Sequence, residues 1–322
     1  MSSRFREVDL RKLRVVSIEE RGGTVTVDRF ATPHAVEAAV DGFLESVPDL
    51  FAGREFRQVA AAVVNAARAR RPVVVMFGAH FVKCGLSRLL IDLMERGVVT
   101  ALATNGAGAI HDAEIAMWGK TSEDVRDGLT SGLFGACRET AELLNGAVAR
   151  GSREGRGFGE SVGSRLADAG TPHRDASIAA RAHELGIPLT VHVALGTDIV
   201  HEHASADGAA IGETSLRDFR ILADVVCGLD GGVVLNVGSA VVLPEVFLKA
   251  LAVARNLGRA RGPFTTVSLD MNEPYRAGEN VVRRPTAELG MGIALRGHHE
   301  ILFPALWCAI VRGLGGGARD GR

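Results

Sequence analysis

Residues 72–112, PVVVMFGAHFVKCGLSRLLIDLMERGVVTALATNGAGAIHD, decide the fold class. The stretch opens with a short β-branched run ending in glycine, PVVVMFG, and continues with KCGLSRLLIDLMERG, whose apolar residues recur at helical spacing. A second apolar run, VVTALAT, then leads into NGAGAIHD. Strand, helix and strand at such short spacing are typical of a βαβ unit in a parallel sheet.

The same alternation continues downstream. Further buried strands are expected at 187–195, 231–238 and 264–271, with amphipathic helices between them and a last helix at 298–314. The pattern predicts five buried strands in one α/β domain, a doubly wound parallel sheet over residues 72–314. Residues 1–71 form an N-terminal helical extension, with helical spacing at 33–47, and 315–322 a disordered tail. The glycine-rich segment SREGRGFGE at 152–160 is expected to be a flexible inserted loop.

Composition narrows the class of protein. The formal net charge of −1 argues against a nucleic-acid partner, and no apolar run reaches the roughly 18 residues needed to span a membrane. Four cysteines are scattered without a CxxC pair, which indicates reduced thiols in a cytoplasmic protein. The polar start MSSRFREVDLRKLR does not have the pattern of a secretory signal.

The segments after the strands carry most of the chemistry. Ligands of doubly wound sheets bind beyond the carboxyl ends of the strands. Five of the ten histidines, His80, His111, His192, His201 and His203, lie in or beside these segments. Turns explain the glycines there but not the histidines, so we expect a ligand site at this edge.

NGAGAIHD allows two interpretations. Gly106 and Gly108 would let backbone N–H groups approach an anion, but they could equally form a tight turn. His111 titrates near neutral pH and could move a proton, while Asp112 suits a helix N-cap before AEIAMWG.

Other segments offer further candidates. In DIVHEH, His201 and His203 would face one side of a strand, and with His192 and Asp198 they could hold a metal for hydrolysis or deamination. We prefer the interpretation without a resident metal. His299 and Glu300 lie at the start of the last helix. The pair Arg283 and Arg284 could clamp a carboxylate or phosphate, or simply form a solvated edge.

Three segments, at 78–112, 185–198 and 235–258, make residues 72–312 resemble the deoxyhypusine synthase family. They read GAHFVKCGLSRLLIDLMERGVVTALATNGAGAIHD, LGIPLTVHVALGTD and LNVGSAVVLPEVFLKALAVARNLG. The resemblance implies a Rossmann-like fold with bound NAD and a homotetramer. It also implies hydride transfer from an amine-bearing carbon, followed by transfer of an aminobutyl group to a lysine. On this resemblance the cofactor would be lined by Ala79, His80, Lys83, Thr104, Asn105, Gly106, Ala107, Gly108, Asp198, Gly238 and Ser239.

The chain departs from that family where the lysine imine would form. The family's glutamate pair reads Ile110-His111 here, its substrate histidine falls near Glu245, and its catalytic lysine falls in LGMGIAL. No lysine follows Lys249, so the family's own reaction is not expected.

We therefore expect an NAD-dependent enzyme that oxidises an amine or amino acid to an imine, which an amine or water captures. The candidates for holding the substrate amine or moving protons are His111, Glu245, His201, His203, His299 and Glu300, with Arg283 and Arg284 for a substrate carboxylate. The alternatives are an ornithine-cyclodeaminase-type lyase, to which the loop ending in His-Asp has a weaker likeness, a metal-dependent hydrolase or deaminase, and a non-catalytic NAD-binding protein.

Overall fold

A computed structural model describes residues 11, 13–21, 25–27, 30, 47–168 and 170–315. The predicted helical segment at 33–47 and the predicted tail therefore lie almost entirely outside the described residues. The strands are β1 (Val25–Thr26), β2 (Val73–Phe77), β3 (Ala101–Asn105), β4 (Lys120–Thr121), β5 (Leu189–His192), β6 (Val233–Val237), β7 (Thr265–Asp270) and β8 (Met291–Arg296). The helices are α1 (Phe51–Arg68), α2 (Ala79–Lys83), α3 (Ser87–Glu95), α4 (Gly106–Trp118), α5 (Val125–Ser131), α6 (Arg138–Glu154), α7 (Phe158–Leu166), α8 (Ile178–Leu185), α9 (Gly208–Cys227), α10 (Val242–Asn256), α11 (Tyr275–Ala277) and α12 (His299–Gly313). Short 3-10 turns at Arg174–Ala176 and Ile199–Glu202 and a π-helical turn at Gly278–Arg283 complete the described elements.

Six strands form one parallel sheet in the order β5-β3-β2-β6-β7-β8. Counted along the chain, this is the order 3-2-1-4-5-6 of doubly wound dinucleotide-binding folds. The predicted α/β parallel fold is confirmed. Between β2 and β6 the direction of winding reverses, and in such sheets ligands bind at the carboxyl ends of those two strands.

The strand β2 shows why this sheet is buried on both faces. Its five residues are all buried, and successive side chains point to opposite sides. Val73, Val75 and Phe77 lie in a core cluster with Trp307 of α12. Val74 and Met76 lie in a second cluster formed with α9 and α10. The helix α1 belongs to the first layer, where its apolar side chains pack against α12.

Two sequence predictions were wrong. The prediction of five strands missed β8, an edge strand whose residues alternate between exposed and buried, so that only Ile293 and Leu295 enter the core. The predicted loop at 152–160 is mostly helical. The helix α6 runs to Glu154, ends at Gly155 in the left-handed region, and α7 begins at Phe158. Within the described part of the chain, no helix is long and apolar enough to cross a membrane.

Candidate functional site

The loops after β2 and β6 touch each other where the winding reverses. A Cβ atom on Gly78 would lie 2.1 Å from the carbonyl oxygen of Gly238, so a side chain cannot fit between the two backbones. Gly238 has a φ of +67°, a conformation that glycine adopts without strain. Ser239, next along the chain, is buried, and its hydroxyl accepts a hydrogen bond from the Leu243 N–H at 3.3 Å.

The segment NGAGAIHD is the start of a helix rather than a loop. Asn105 ends β3, and its side chain caps α4 by accepting a hydrogen bond from the Gly108 N–H at 2.9 Å. Thr104 donates a hydrogen bond to the Phe77 carbonyl at 2.8 Å, which ties β3 to the end of β2. A Cβ atom on Gly108 would lie 2.0 Å from Thr104 Oγ1, so this position is restricted to glycine by packing.

Asp198 occupies the start of α4. Its Oδ2 would lie 1.9 Å from a Cβ atom on Gly106, and its carboxylate accepts a hydrogen bond from the Ala107 N–H. Burial raises the pKa of Asp198 to about 6, although that hydrogen bond acts in the opposite direction. Because a carboxylate already neutralises this helix end, the site suits a hydroxyl donor such as a ribose better than a phosphate.

Asp112 caps a helix, but not the one predicted from the sequence: it caps α8 and does not begin a helix of its own. It lies inside α4, where its buried carboxylate accepts hydrogen bonds from the Ile178 and Ala179 N–H groups at 2.7 and 3.0 Å. The hydroxyl of Ser177 donates a third hydrogen bond to it at 2.7 Å. Burial raises the pKa of Asp112 to about 6, although the three hydrogen bonds act to lower it. Asp112 therefore joins α4 to the start of α8.

His111 belongs to a partly buried polar network. Its Nδ1 lies 2.6 Å from the Thr121 hydroxyl, which donates a very short hydrogen bond to Glu114. Since that hydroxyl has one proton, His111 Nδ1 must be the donor, and Nε2 carries the free lone pair. Glu114 also forms a buried ion pair with Arg21 at 2.7 Å. Burial lowers the pKa of His111 to about 4, so the ring is neutral at pH 7 and is a weak base.

The histidines around β5 do not gather as a metal site. His192 is buried and pairs with the Thr190 hydroxyl at 3.0 Å. His201 lies in a 3-10 turn rather than on a strand, and its Nδ1 accepts two backbone N–H bonds at 3.2 Å. His203 Nε2 donates to the Gly135 carbonyl at 2.9 Å. Each ring is thus engaged with its own neighbours.

Glu245 and the two arginines lie in a charged surface patch beyond β6 and β7. Glu245 pairs with Lys249 and Arg276, and these contacts, that with Lys249 first, lower its pKa. Arg283 donates to Glu279 at 2.8 Å, while Arg284 donates to the side chain of Asn280 at 2.7 Å. Both guanidinium groups have carboxylate or amide partners that a substrate carboxylate would have to displace.

Four side chains after β2 and at the start of α12 lie close together. The rings of His80 and His299 are 5.7 Å apart in an edge-on arrangement, and Cys84 Sγ lies 3.6 Å from Glu300 Oε2. Burial, the neighbouring His299 ring and the charge of Lys83 lower the pKa of His80. Cys84 was missed by sequence reasoning, although its spacing of four residues from His80 was a readable signal.

Comparisons with known proteins give a shared fold. The ternary complex of AgrE with ornithine and NAD+ has a TM-score of 0.51 and 16% identity, covering 80% of this chain and 32% of AgrE. Unliganded AgrE has a TM-score of 0.52 and 15% identity with the same coverage. The match to a candidate deoxyhypusine synthase from Entamoeba histolytica covers 85% of this chain and 90% of that protein, at 11% identity and a TM-score of 0.48.

The chain spans about a third of the length of AgrE. At such low identity the likeness extends to the fold alone. No protein-family model and no curated protein matches the sequence.

Proposed function

We propose that this chain is an NAD-dependent enzyme of the deoxyhypusine-synthase-like group that acts on an amine or amino acid. The observation that carries the proposal is the glycine contact between Gly78 and Gly238 where the sheet reverses its winding. In this fold, dinucleotides lie across that point, and only bare backbone allows their close approach. AgrE, which shares the fold, was crystallised with ornithine and NAD+.

The residues proposed to hold NAD fall into two groups. Thr104, Asn105, Gly106, Ala107, Gly108 and Asp198 surround the start of α4, whereas Ala79, His80, Lys83, Gly238 and Ser239 follow β2 and β6. Asp198 would accept a hydrogen bond from a ribose hydroxyl, because its carboxylate already lies against the helix end. Lys83 brings a positive charge to the same edge, where it would attract a phosphate.

When bound, NAD would accept a hydride from the amine-bearing carbon of the substrate, which becomes an imine. His111 is proposed to pass on a proton at the amine through Nε2, which the Nδ1 bond to Thr121 leaves unprotonated. His201, His203, His299, Glu300 and Glu245 are proposed to orient the amine or move protons, and Arg283 with Arg284 would bind a substrate carboxylate. Capture of the imine by water or an amine completes the reaction without an enzyme lysine.

A lyase of the ornithine-cyclodeaminase type is the second candidate. There the substrate's own second amine would attack the imine, ammonia would leave, and return of the hydride to the resulting cyclic imine would give a cyclic amino acid. The ornithine in the AgrE complex favours this candidate. The homotetramer and the cytoplasmic location also stay predictions.

NAD binding is the experiment that tests the proposal. Native mass spectrometry of the purified protein would show bound NAD and the number of subunits, and titration with NAD would follow. Asp198→Asn should weaken NAD binding about tenfold, or about 1.4 kcal/mol. Asp207→Asn is the matched control, because Asp207 also caps a helix but is exposed and forms its bonds to Ala209 and Ala210. No saturable binding by the wild-type protein would reject the proposal.

A further inference from the structure

The side chains of His80, Cys84 and His299 converge at the carboxyl edge of the sheet. One nitrogen or sulfur atom from each lies within 4.8 Å of the others. His80 and Cys84 are four residues apart, so they share one face of α2 and its final turn. His299 reaches them from the first turn of α12. Among the residues that the structure describes, no other set of three histidine, cysteine or acidic side chains meets this criterion.

The burial and hydrogen bonding of His299 suit a metal ligand. It is 2% exposed, and its Nε2 lies 3.1 Å from the Leu269 carbonyl oxygen. Because a carbonyl can only accept, Nε2 carries the ring proton and Nδ1 has the lone pair. Within the described chain, that buried Nδ1 has no hydrogen-bond partner. A histidine that donates one ring N–H to a backbone carbonyl and leaves the other nitrogen free has the arrangement of a metal ligand with its outer-shell support.

A carboxylate and an open side lie next to the three donor atoms. Glu300 Oε2 lies 3.6 Å from Cys84 Sγ, and about half of the Glu300 side chain is exposed. His80 is exposed as well, so the three donor atoms are open to solvent on that side. The positive charge of Lys83 lies nearby and disfavours a bound cation. The negative charges of Glu300 and Asp270 favour a positive charge at the His80 ring.

We propose that His80, Cys84 and His299 bind a divalent transition metal, zinc by the chemistry of the donors, with Glu300 or water in the fourth position. Two imidazoles and one thiolate form a borderline-soft set that suits zinc rather than calcium or magnesium. Without metal, burial and the charge of Glu300 raise the pKa of the Cys84 thiol to about 12, so it is protonated at pH 7. Binding therefore releases one proton from this thiol to solvent, and no oxidation or reduction is involved.

This site goes beyond the proposed NAD function and does not depend on it. A metal with an exchangeable fourth ligand at this edge would face the same point as a bound dinucleotide and could hold a polar group of the substrate. Metal binding is measured without NAD, and NAD binding without metal, so either proposal can fail alone.

Cobalt titration of the full chain tests the site. Cobalt(II) bound by a cysteine and two histidines gives intense visible bands and a thiolate-to-cobalt charge-transfer band, which zinc then abolishes by displacement. We expect stoichiometric binding with both signals. Cys84→Ser should remove the charge-transfer band and weaken zinc binding at least about 100-fold, with one proton fewer released. His299→Ala should have a similar effect on affinity.

Two substitutions outside the proposed donor set provide matched controls. Cys308→Ser alters a cysteine that is also partly buried, and His183→Ala alters an exposed histidine on α8. Both should bind cobalt like the wild type. If His299→Ala fails to fold by circular dichroism, Cys84→Ser decides, because Cys84 is only partly buried. Absence of the charge-transfer band in the wild type, or binding that survives Cys84→Ser unchanged, would overturn the proposal.

Discussion

The substitution Gly238→Ala tests one of the two glycines on which the proposed dinucleotide site depends. Gly238 has a φ of +67°, and an alanine in this left-handed region costs about 1–2 kcal/mol. The added Cβ would also lie 3.0 Å from Cε1 and 3.2 Å from Nε2 of His299. That buried ring would have to shift, which strains its hydrogen bond to the Leu269 carbonyl, worth about 0.5–1.5 kcal/mol.

These terms add to a loss of about 2–3 kcal/mol in the free energy of unfolding. Equilibrium unfolding in urea measures it. With a slope of about 2–3 kcal/mol/M, the midpoint should fall by about 1 M. NAD affinity should fall as well, since Gly238 lies at the point where the cofactor would cross the sheet.

Gly146→Ala is the matched control for this experiment. Gly146 lies inside α6, has no unusual φ, and a Cβ there would meet nothing within 4 Å. This substitution should stabilise the chain by up to about 1 kcal/mol, because glycine is unfavourable in a helix. The reasoning fails if Gly238→Ala is as stable as the wild type while Gly146→Ala behaves as expected.

Three further predictions concern buried carboxylates. Asp112→Ala should destabilise the fold by about 2–4 kcal/mol in thermal unfolding, because it leaves two N–H groups of α8 without an acceptor, whereas Asp112→Asn keeps one acceptor and should lose less. Burial raises the pKa of Asp218 to about 7, so the folded state holds a proton that the unfolded chain releases near pH 4. Stability should therefore fall by up to about 4 kcal/mol as the pH rises from 4 to 7, and a urea series across pH should be flatter for Asp218→Asn; an equal slope would contradict this. The carboxylate of Asp198 should repel a 2′-phosphate, so calorimetry should give at least about tenfold weaker binding of NADP than NAD, and a ratio near one would count against its proposed role.

The sequence predicted the centre of the fold better than its edge. The run at β2 is buried on both faces, so every residue is apolar and the pattern is unambiguous. In the strand β8 an exposed glycine, alanine and arginine alternate with two buried residues, and its short apolar signal resembled an irregular segment. The N-cap of α4 was also predicted at the wrong residue. Asn105 stands directly before Gly106 and is a good N-cap residue, but the cap was assigned to Asp112 from the sequence because an apolar run follows it.

The arrangement of the candidate site depends on contacts that sequence spacing does not encode. Asp198 lies against Gly106 across 92 positions of the chain, and Glu300 lies against Cys84 across 216. The rule that the carboxyl ends of parallel strands share an edge identified the right segments, but it did not predict which residues of those segments contact each other. It grouped His201 with His203 because they are close in sequence. The structure instead brings His299 to the residues after β2, because α12 packs on the same face of the sheet as α3 and starts beside them. Chemistry-bearing residues in such sheets are therefore best paired by strand order, and here β2, β6 and β7 are neighbours, which is why His299 contacts residues at the ends of all three.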